Sequence, residues 1–269
     1  MKNAIIYLTH HVTEHDNIQL SHLTDAYNCK NCENDIYVVL DVTNFQLVDH
    51  KFHITTQSHS QKYPLLLKLT EKEVTNGLRP LNYVFEYYET KRNPLFYGNC
   101  MLEIMYVWIN LLRDKDYDYV WVIEHDVYFK GKWSYLFNFF SNIDDEFIPA
   151  QINPYSLEFW HARQYSFKED IHPNEFLISF NPIMRLSKKA LNILDDSYQN
   201  GSSGFYEIFP ATLFNHLGMK QNDICSYNFS DRQRFTYIKN RSLPNELINI
   251  NNYLYHPVKN VVSLNINKI

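Results

Sequence analysis

The chain has 269 residues, 45% of them hydrophobic and 20% charged, with a formal net charge of -5. Its length suits one large domain or two small ones, with a core burying about three-quarters of the unfolded surface. The acidic balance excludes a basic field for nucleic acid or anionic lipid, and charges interrupt every long apolar run, which excludes a bilayer-spanning segment. Only 6 Gly stand against 21 Tyr and 18 Phe. A glycine-rich phosphate-binding loop is thereby excluded, so any nucleotide must be held another way.

In chain order, Ala4-Ile5-Ile6-Tyr7-Leu8-Thr9 reads as a short buried strand ending at Thr9-His10-His11. A polar stretch rich in helix formers runs to about Asn28, and Asp35 to Leu40 forms a second strand closed by Asp41. Strand, polar helix, strand is the rhythm of a βαβ unit with a parallel sheet. Between Thr43 and Asn93 the only candidate element is a strand from Tyr83 to Tyr88. Cys100 to Leu112 is apolar over most of a helix length and reads as a buried helix. Tyr119-Val120-Trp121-Val122-Ile123 is an apolar strand that runs straight into Glu124-His125-Asp126. Gly131-Lys132-Trp133-Ser134 turns into an aromatic helix around Tyr135 to Phe140. Strands are expected at Glu146 to Gln151 and Phe176 to Phe180, then a helix opened by Ser187. Ser202 or Ser203 is expected to cap a last helix from about Phe205 to Leu217. The reading is α/β and a single domain over residues 1–269.

Three places carry residue types suited to chemistry. Glu124 and Asp126, two positions apart past a buried strand, stand where open α/β sheets bind ligands. Asp126 can ligate a hard divalent cation there, with Glu124 ligating directly or through water. A nucleoside diphosphate would complete the shell, replacing the missing glycine loop. A solvated strand end is the competing explanation. The second place is His256-Pro257-Val258-Lys259: a neutral imidazole suits Mn2+, and Lys259 can meet a phosphate as a point charge. With 12 His in the chain, a partly exposed histidine before a proline-fixed bend explains it equally. The third is Glu207, among aromatics near a helix start. It suits a general base for a sugar hydroxyl, and equally a capping-box partner of Ser203 or Gly204.

Taken together, these segments resemble the GT-A-fold glycosyltransferases. Tyr119 to Val127, with Gly131-x-Trp133-Ser134, looks like the segment whose Asp-x-Asp-type motif holds Mn2+ and the diphosphate of a nucleotide sugar. Phe180 to Ser187 is similar to the segment after a central strand. Tyr206 to Thr212 is similar to the one supplying the base in inverting members, and His256-Pro257-Val258-Lys259 to the one supplying a C-terminal metal-binding histidine. This chain departs from the pattern in having Glu, with His between, at the first motif acid.

The resemblance implies a Rossmann-type fold with a central, mostly parallel twisted sheet flanked by helices. It implies a nucleotide-sugar-binding part over about 1–127 and an acceptor-binding part with a metal- and phosphate-binding tail over about 128–269. Asp126, His256 and Glu124 would hold a divalent cation, Mn2+ or else Mg2+. Asp41 would lie near the nucleoside, with Thr9 and His11 from the first loop, and Lys259 and Arg185 would add positive charge at the diphosphate. Glu207 would be the base, and Trp160 and His161 would face the acceptor. The expected reaction is inverting transfer from a UDP-sugar to a hydroxyl of a glycan or lipid-linked glycan. With no signal or anchor segment, the expected place is the cytoplasm; contact at the inner face of a membrane is expected from the resemblance alone.

Two other functions compete. A sugar-phosphate nucleotidyltransferase would want a glycine-rich, basic loop after the first strand, and Thr9 to Glu14 offers neither. A carbohydrate- or protein-binding module on a decayed scaffold would bind without metal. Cys29-Lys30-Asn31-Cys32 lacks the second pair a zinc site needs, which leaves free thiols or a local redox pair.

Overall fold

The computed structural model of the chain describes residues 1–9, 13–41, 52–57, 65–68, 101–156, 165–232 and 250–258. The expected strand at Tyr83 to Tyr88 lies outside them, as do His11, Trp160, His161 and Lys259.

The chain begins with β1 (Lys2–Thr9), α1 (Glu14–Leu23), a three-ten turn (Thr24–Asn28) and β2 (Glu33–Asp41). Strands β3 (Phe52–Gln57) and β4 (Leu65–Lys68) follow, then α2 (Met101–Val107), continued by a π-helical turn at Trp108–Leu112. Next come β5 (Tyr119–Glu124), β6 (Tyr128–Lys130), α3 (Trp133–Phe140), β7 (Phe147–Pro154) and β8 (Tyr165–Ser166). The described chain closes with β9 (Leu177–Ser187), α4 (Lys188–Gln199), β10 (Ser203–Gly204), α5 (Phe209–His216) and β11 (Tyr253–Tyr255).

Seven of these strands make one sheet in the order β4-β3-β2-β1-β5-β9-β7. Its centre, β2-β1-β5, is parallel, as the βαβ rhythm predicts. Outside it the pairing turns antiparallel, because β3 and β9 run against their neighbours. The expected mostly parallel sheet therefore holds for strand direction, five strands against two, and is mixed in its ladders.

β1 is apolar from Ala4 to Leu8 because both of its faces are covered. Alternation sends Ala4, Ile6 and Leu8 to one core with α2, α4 and α5. It sends Ile5 and Tyr7 to the other, with Trp121, Trp133, Phe137 and Phe140. Both cores are rich in aromatics; in the second, Trp121 lies edge-on to Phe137 and Phe140, centroids 5.3 and 5.2 Å away. Asp25 starts α3 by accepting from the backbone N–H of Ser134 at 2.9 Å and its hydroxyl at 2.8 Å.

Two elements depart from expectation. β9 does not stop at Phe180 but continues to Ser187. Pro182 is tolerated inside it because the β5 ladder ends at Ile183 and the β7 ladder shifts register between Pro149 and Gln151. The last helix starts at Phe209, four residues late. The backbone before it is held on β9 instead: Asn181 donates to the Tyr206 carbonyl at 2.8 Å, and the Ser179 N–H to that of Glu207 at 2.6 Å. Ser202 caps nothing, since its hydroxyl donates to Glu169 at 2.6 Å. Ser187 does open α4, accepting from the Ala190 N–H.

Cys29 and Cys32 form a disulfide, Cα atoms 5.5 Å apart. Asn138 on α3 steadies that turn, its Oδ1 accepting from the N–H groups of Lys30 and Asn31 at 2.9 and 3.0 Å. The loop closed is too short for much unfolded-state entropy to be lost. No described helix is long and apolar enough to cross a membrane.

Candidate metal centre

The strand order reverses at β1: β2 lies on one side of it and β5 on the other. Crevices at the carboxyl ends of such strands are where open α/β sheets take ligands. Glu124 ends β5 there, and a tight turn follows, its Val127 N–H donating to the Glu124 carbonyl at 3.0 Å. The apolar strand runs buried up to Ile123, 1% exposed, and the turn opens with half-buried Glu124.

His256 reaches this turn on a two-stranded ribbon. β6 leaves the turn and pairs antiparallel with β11, Tyr128 opposite Tyr255. One residue further out, His256 stands beside the turn, and the Val258 N–H donates to the Asp126 carbonyl at 2.8 Å. Gly131 lets the far end of the ribbon close: a Cβ there would lie 2.6 Å from Asn252 Oδ1 and 3.1 Å from its Cα. The expectation of a partly exposed histidine is corrected. His256 is 7% exposed, packed 5.3 Å centroid to centroid from Phe180 of β9.

The result is a trio. Asp126, 4% exposed, brings Oδ1 to 3.3 Å from His256 Nε2. One ligand atom each from Glu124, Asp126 and His256 lies within 4.8 Å of the others. Two carboxylates and an imidazole converging in a part-buried place fit a divalent cation of the Mn2+ or Mg2+ kind. The donor set can supply three ligands and leave further positions to a second molecule.

Glu207 comes to the neighbouring stretch of β9. Its backbone carbonyl bonds Ser179, one residue from the Phe180 that packs against His256. It is 2% exposed and precedes α5, so the capping-box explanation is corrected: Ile208 is the N-cap, with no side-chain cap bond.

Arg185 departs from its expected place at a diphosphate. It is fully buried, paired in the ladder with Trp121 and Ile148, and donates to the carbonyls of Phe140, Ile143 and Asp145 at 2.7, 2.9 and 2.9 Å. Its guanidinium carbon lies 4.0 Å from the centroid of Tyr119. Thr9 is 2% exposed and gives its hydroxyl to Asp16 at 2.7 Å. Asp41 ends β2, at the same edge of the sheet as Thr9 and Glu124.

Asp16 is a residue the sequence reading missed. Besides Thr9 it accepts from the hydroxyls of Tyr7 and Thr13 and from the Thr13 N–H. Its signal was the capping box Thr13-x-x-Asp16 at the start of α1. Burial alone would raise its pKa, but the donors on Thr13 and Thr9 outweigh it and hold the carboxyl below the usual 3.8. Burial pushes the Tyr7 hydroxyl the other way, with the carboxylates of Asp16 and then Asp126 adding to it, so it stays a donor. A depressed carboxylate pKa adds stability that is complete above the unfolded value and lost as pH falls through the folded one. Asp16→Asn is therefore expected to cost about 1–2 kcal/mol at neutral pH. In urea melts that gap should shrink below pH 3.8. A gap constant with pH would deny the carboxylate this role.

The chain matches no protein-family model and no curated protein.

Proposed function

We propose that this chain is a metal-dependent, inverting glycosyltransferase of the GT-A kind, taking its sugar from a UDP-linked donor. The observation that carries the reading is the convergence of Glu124, Asp126 and His256 at the carboxyl end of β5. The parallel centre of the sheet and the reversal of strand order at β1 support it, since a nucleotide lies across such a crevice.

Glu124, Asp126 and His256 would hold the cation, which supplies neutralising charge where a diphosphate departs. The residues of the chain divide the remaining work. Glu207 would take the proton of the acceptor hydroxyl as its oxygen attacks the anomeric carbon. The bond from that carbon to the diphosphate oxygen breaks on the opposite face, which inverts the centre. Its burial shields the base from water, the setting in which a carboxylate works as a proton acceptor. The acceptor, a glycan or lipid-linked glycan, rests on the family resemblance alone.

Calorimetry with UDP, with and without Mn2+, tests the donor half, and release of UDP from a panel of nucleotide sugars tests the transfer. Mn2+-dependent UDP binding is expected. Glu207→Gln should keep it while turnover falls by at least about a hundredfold. UDP binding that is absent, or indifferent to metal, would remove the reading; full turnover in Glu207→Gln would remove only the base.

A further inference from the structure

Helix α1 packs its C-terminal end through buried Leu23, with Ile18 and Leu20 partly buried, but much of its inward face is polar. That face carries His15, Asp16 and Gln19, all buried, with half-buried His22 one turn on. Positions 15, 19 and 22 share one side of a helix. Each points its terminal nitrogen at a backbone carbonyl of the segment that leaves β5. His15 Nε2 lies 2.8 Å from the His125 oxygen, Gln19 Nε2 3.0 Å from that of Val127, and His22 Nε2 2.7 Å from that of Gly131. A carbonyl only accepts, so both imidazoles carry a hydrogen on Nε2. Burial lowers the pKa of His22, with the Gly131 carbonyl and Asp25 acting against it.

The arrangement answers a specific need. Residues 125–127 lie between β5 and β6 and belong to neither ladder, so their backbone carbonyls need donors from elsewhere. An apolar helix face could not provide them. The two carbonyls held by His15 and Gln19 are those on either side of Asp126. Asp16 and Tyr7 back the same turn, the Tyr7 hydroxyl standing 3.2 Å from Asp16 and 3.4 Å from the His125 oxygen.

We propose that α1 is a positioning clamp: His15 and Gln19 fix the turn on which Glu124 and Asp126 face His256, so that a divalent cation meets a pre-set trio. Neither residue is a ligand. The inference rests on the metal reading given above. Removing a group that orients a metal ligand typically weakens the metal about 10–100-fold.

The test titrates Mn2+ alone into the protein, following loss of the paramagnetic resonance signal of free Mn2+, beside thermal melts in EDTA. Gln19→Met keeps the volume and removes the donor; His15→Leu removes the other. Both should bind Mn2+ about 10–100-fold more weakly. His15→Gln, whose amide nitrogen can stand in for Nε2, should restore affinity towards wild type. Ser21→Ala, on the exposed side of α1, should change nothing. Gln19→Met answers the question by itself should His15→Leu not fold. Wild-type affinity in the donor-less variants, with binding lost in Asp126→Asn, would overturn the clamp and leave the metal site standing. No Mn2+ binding by the wild-type protein would remove both.

Discussion

Asp126→Asn is expected to abolish Mn2+-dependent binding of UDP while melting no lower than the wild type in EDTA. The two halves of this result have one cause. Without metal, Asp126 and Glu124 press two carboxylates towards a single imidazole, and a neutral amide of the same shape relieves that repulsion. The substitution leaves the backbone bond of the turn in place, since the Val258 N–H donates to the backbone carbonyl of residue 126. With metal the balance reverses. A ligand at a hundred times its Kd adds about 2.7 kcal/mol to stability. The wild type should show a melting shift of that order with Mn2+, and the variant should show none. A fall in melting temperature of Asp126→Asn in EDTA would mean that the Asp126–His256 pair is a structural ion pair. An undiminished Mn2+ shift in the variant would take Asp126 out of the ligand set.

Arg185→Met is expected to be the most destabilising single change outside the aromatic core. The guanidinium satisfies three carbonyls where α3 ends and the chain turns towards β7. Burial draws its pKa down to about 10, against the pull of Tyr119 and Asp145, so it remains charged at neutral pH. Methionine fills much of the volume and offers no donor. Leaving a buried polar group unsatisfied costs about 1–3 kcal/mol, and breaking a buried charged network about 3–5 kcal/mol. A loss near 3–5 kcal/mol in urea would shift the melting temperature by roughly 10 °C. Arg185→Lys should recover only part of it, since one ammonium cannot span the fork. Metal affinity should be unmoved in both, which separates this residue from the site. A loss under about 1 kcal/mol would show that the carbonyls find other donors.

How far these features could be read beforehand follows from what each leaves in the sequence. β5 was legible because burial on both faces forces an unbroken apolar run, and the acids after it mark where the strand ends. Ser187 was legible as a cap because its local chemistry suffices. Arg185 was placed at the diphosphate by resemblance, and nothing local in the sequence said otherwise. β9 continues through Pro182 and buries the cation among rings, held by carbonyls of a distant turn. The approach of His256 to Asp126 leaves no periodicity at all. It was reachable only through resemblance, since a ribbon pairing of two short strands about 125 positions apart has almost no local signature. The clamp by α1 was invisible for a further reason. His15 and Gln19 recognise backbone carbonyls, and carbonyls impose no residue type on the segment they belong to.

The ribbon of β6 and β11 also makes the site conditional. Its two strands have three residues each, and only one of the three candidate ligands travels on the later one. Whenever β11 lifts off, the trio becomes a pair, although the seven-stranded sheet is untouched. The apparent affinity for a cation is then the intrinsic one scaled by the fraction of time the ribbon is shut. By the same linkage, a bound cation holds the ribbon shut. On the proposed reading, two distant stretches of one chain would be latched by the cation held between them.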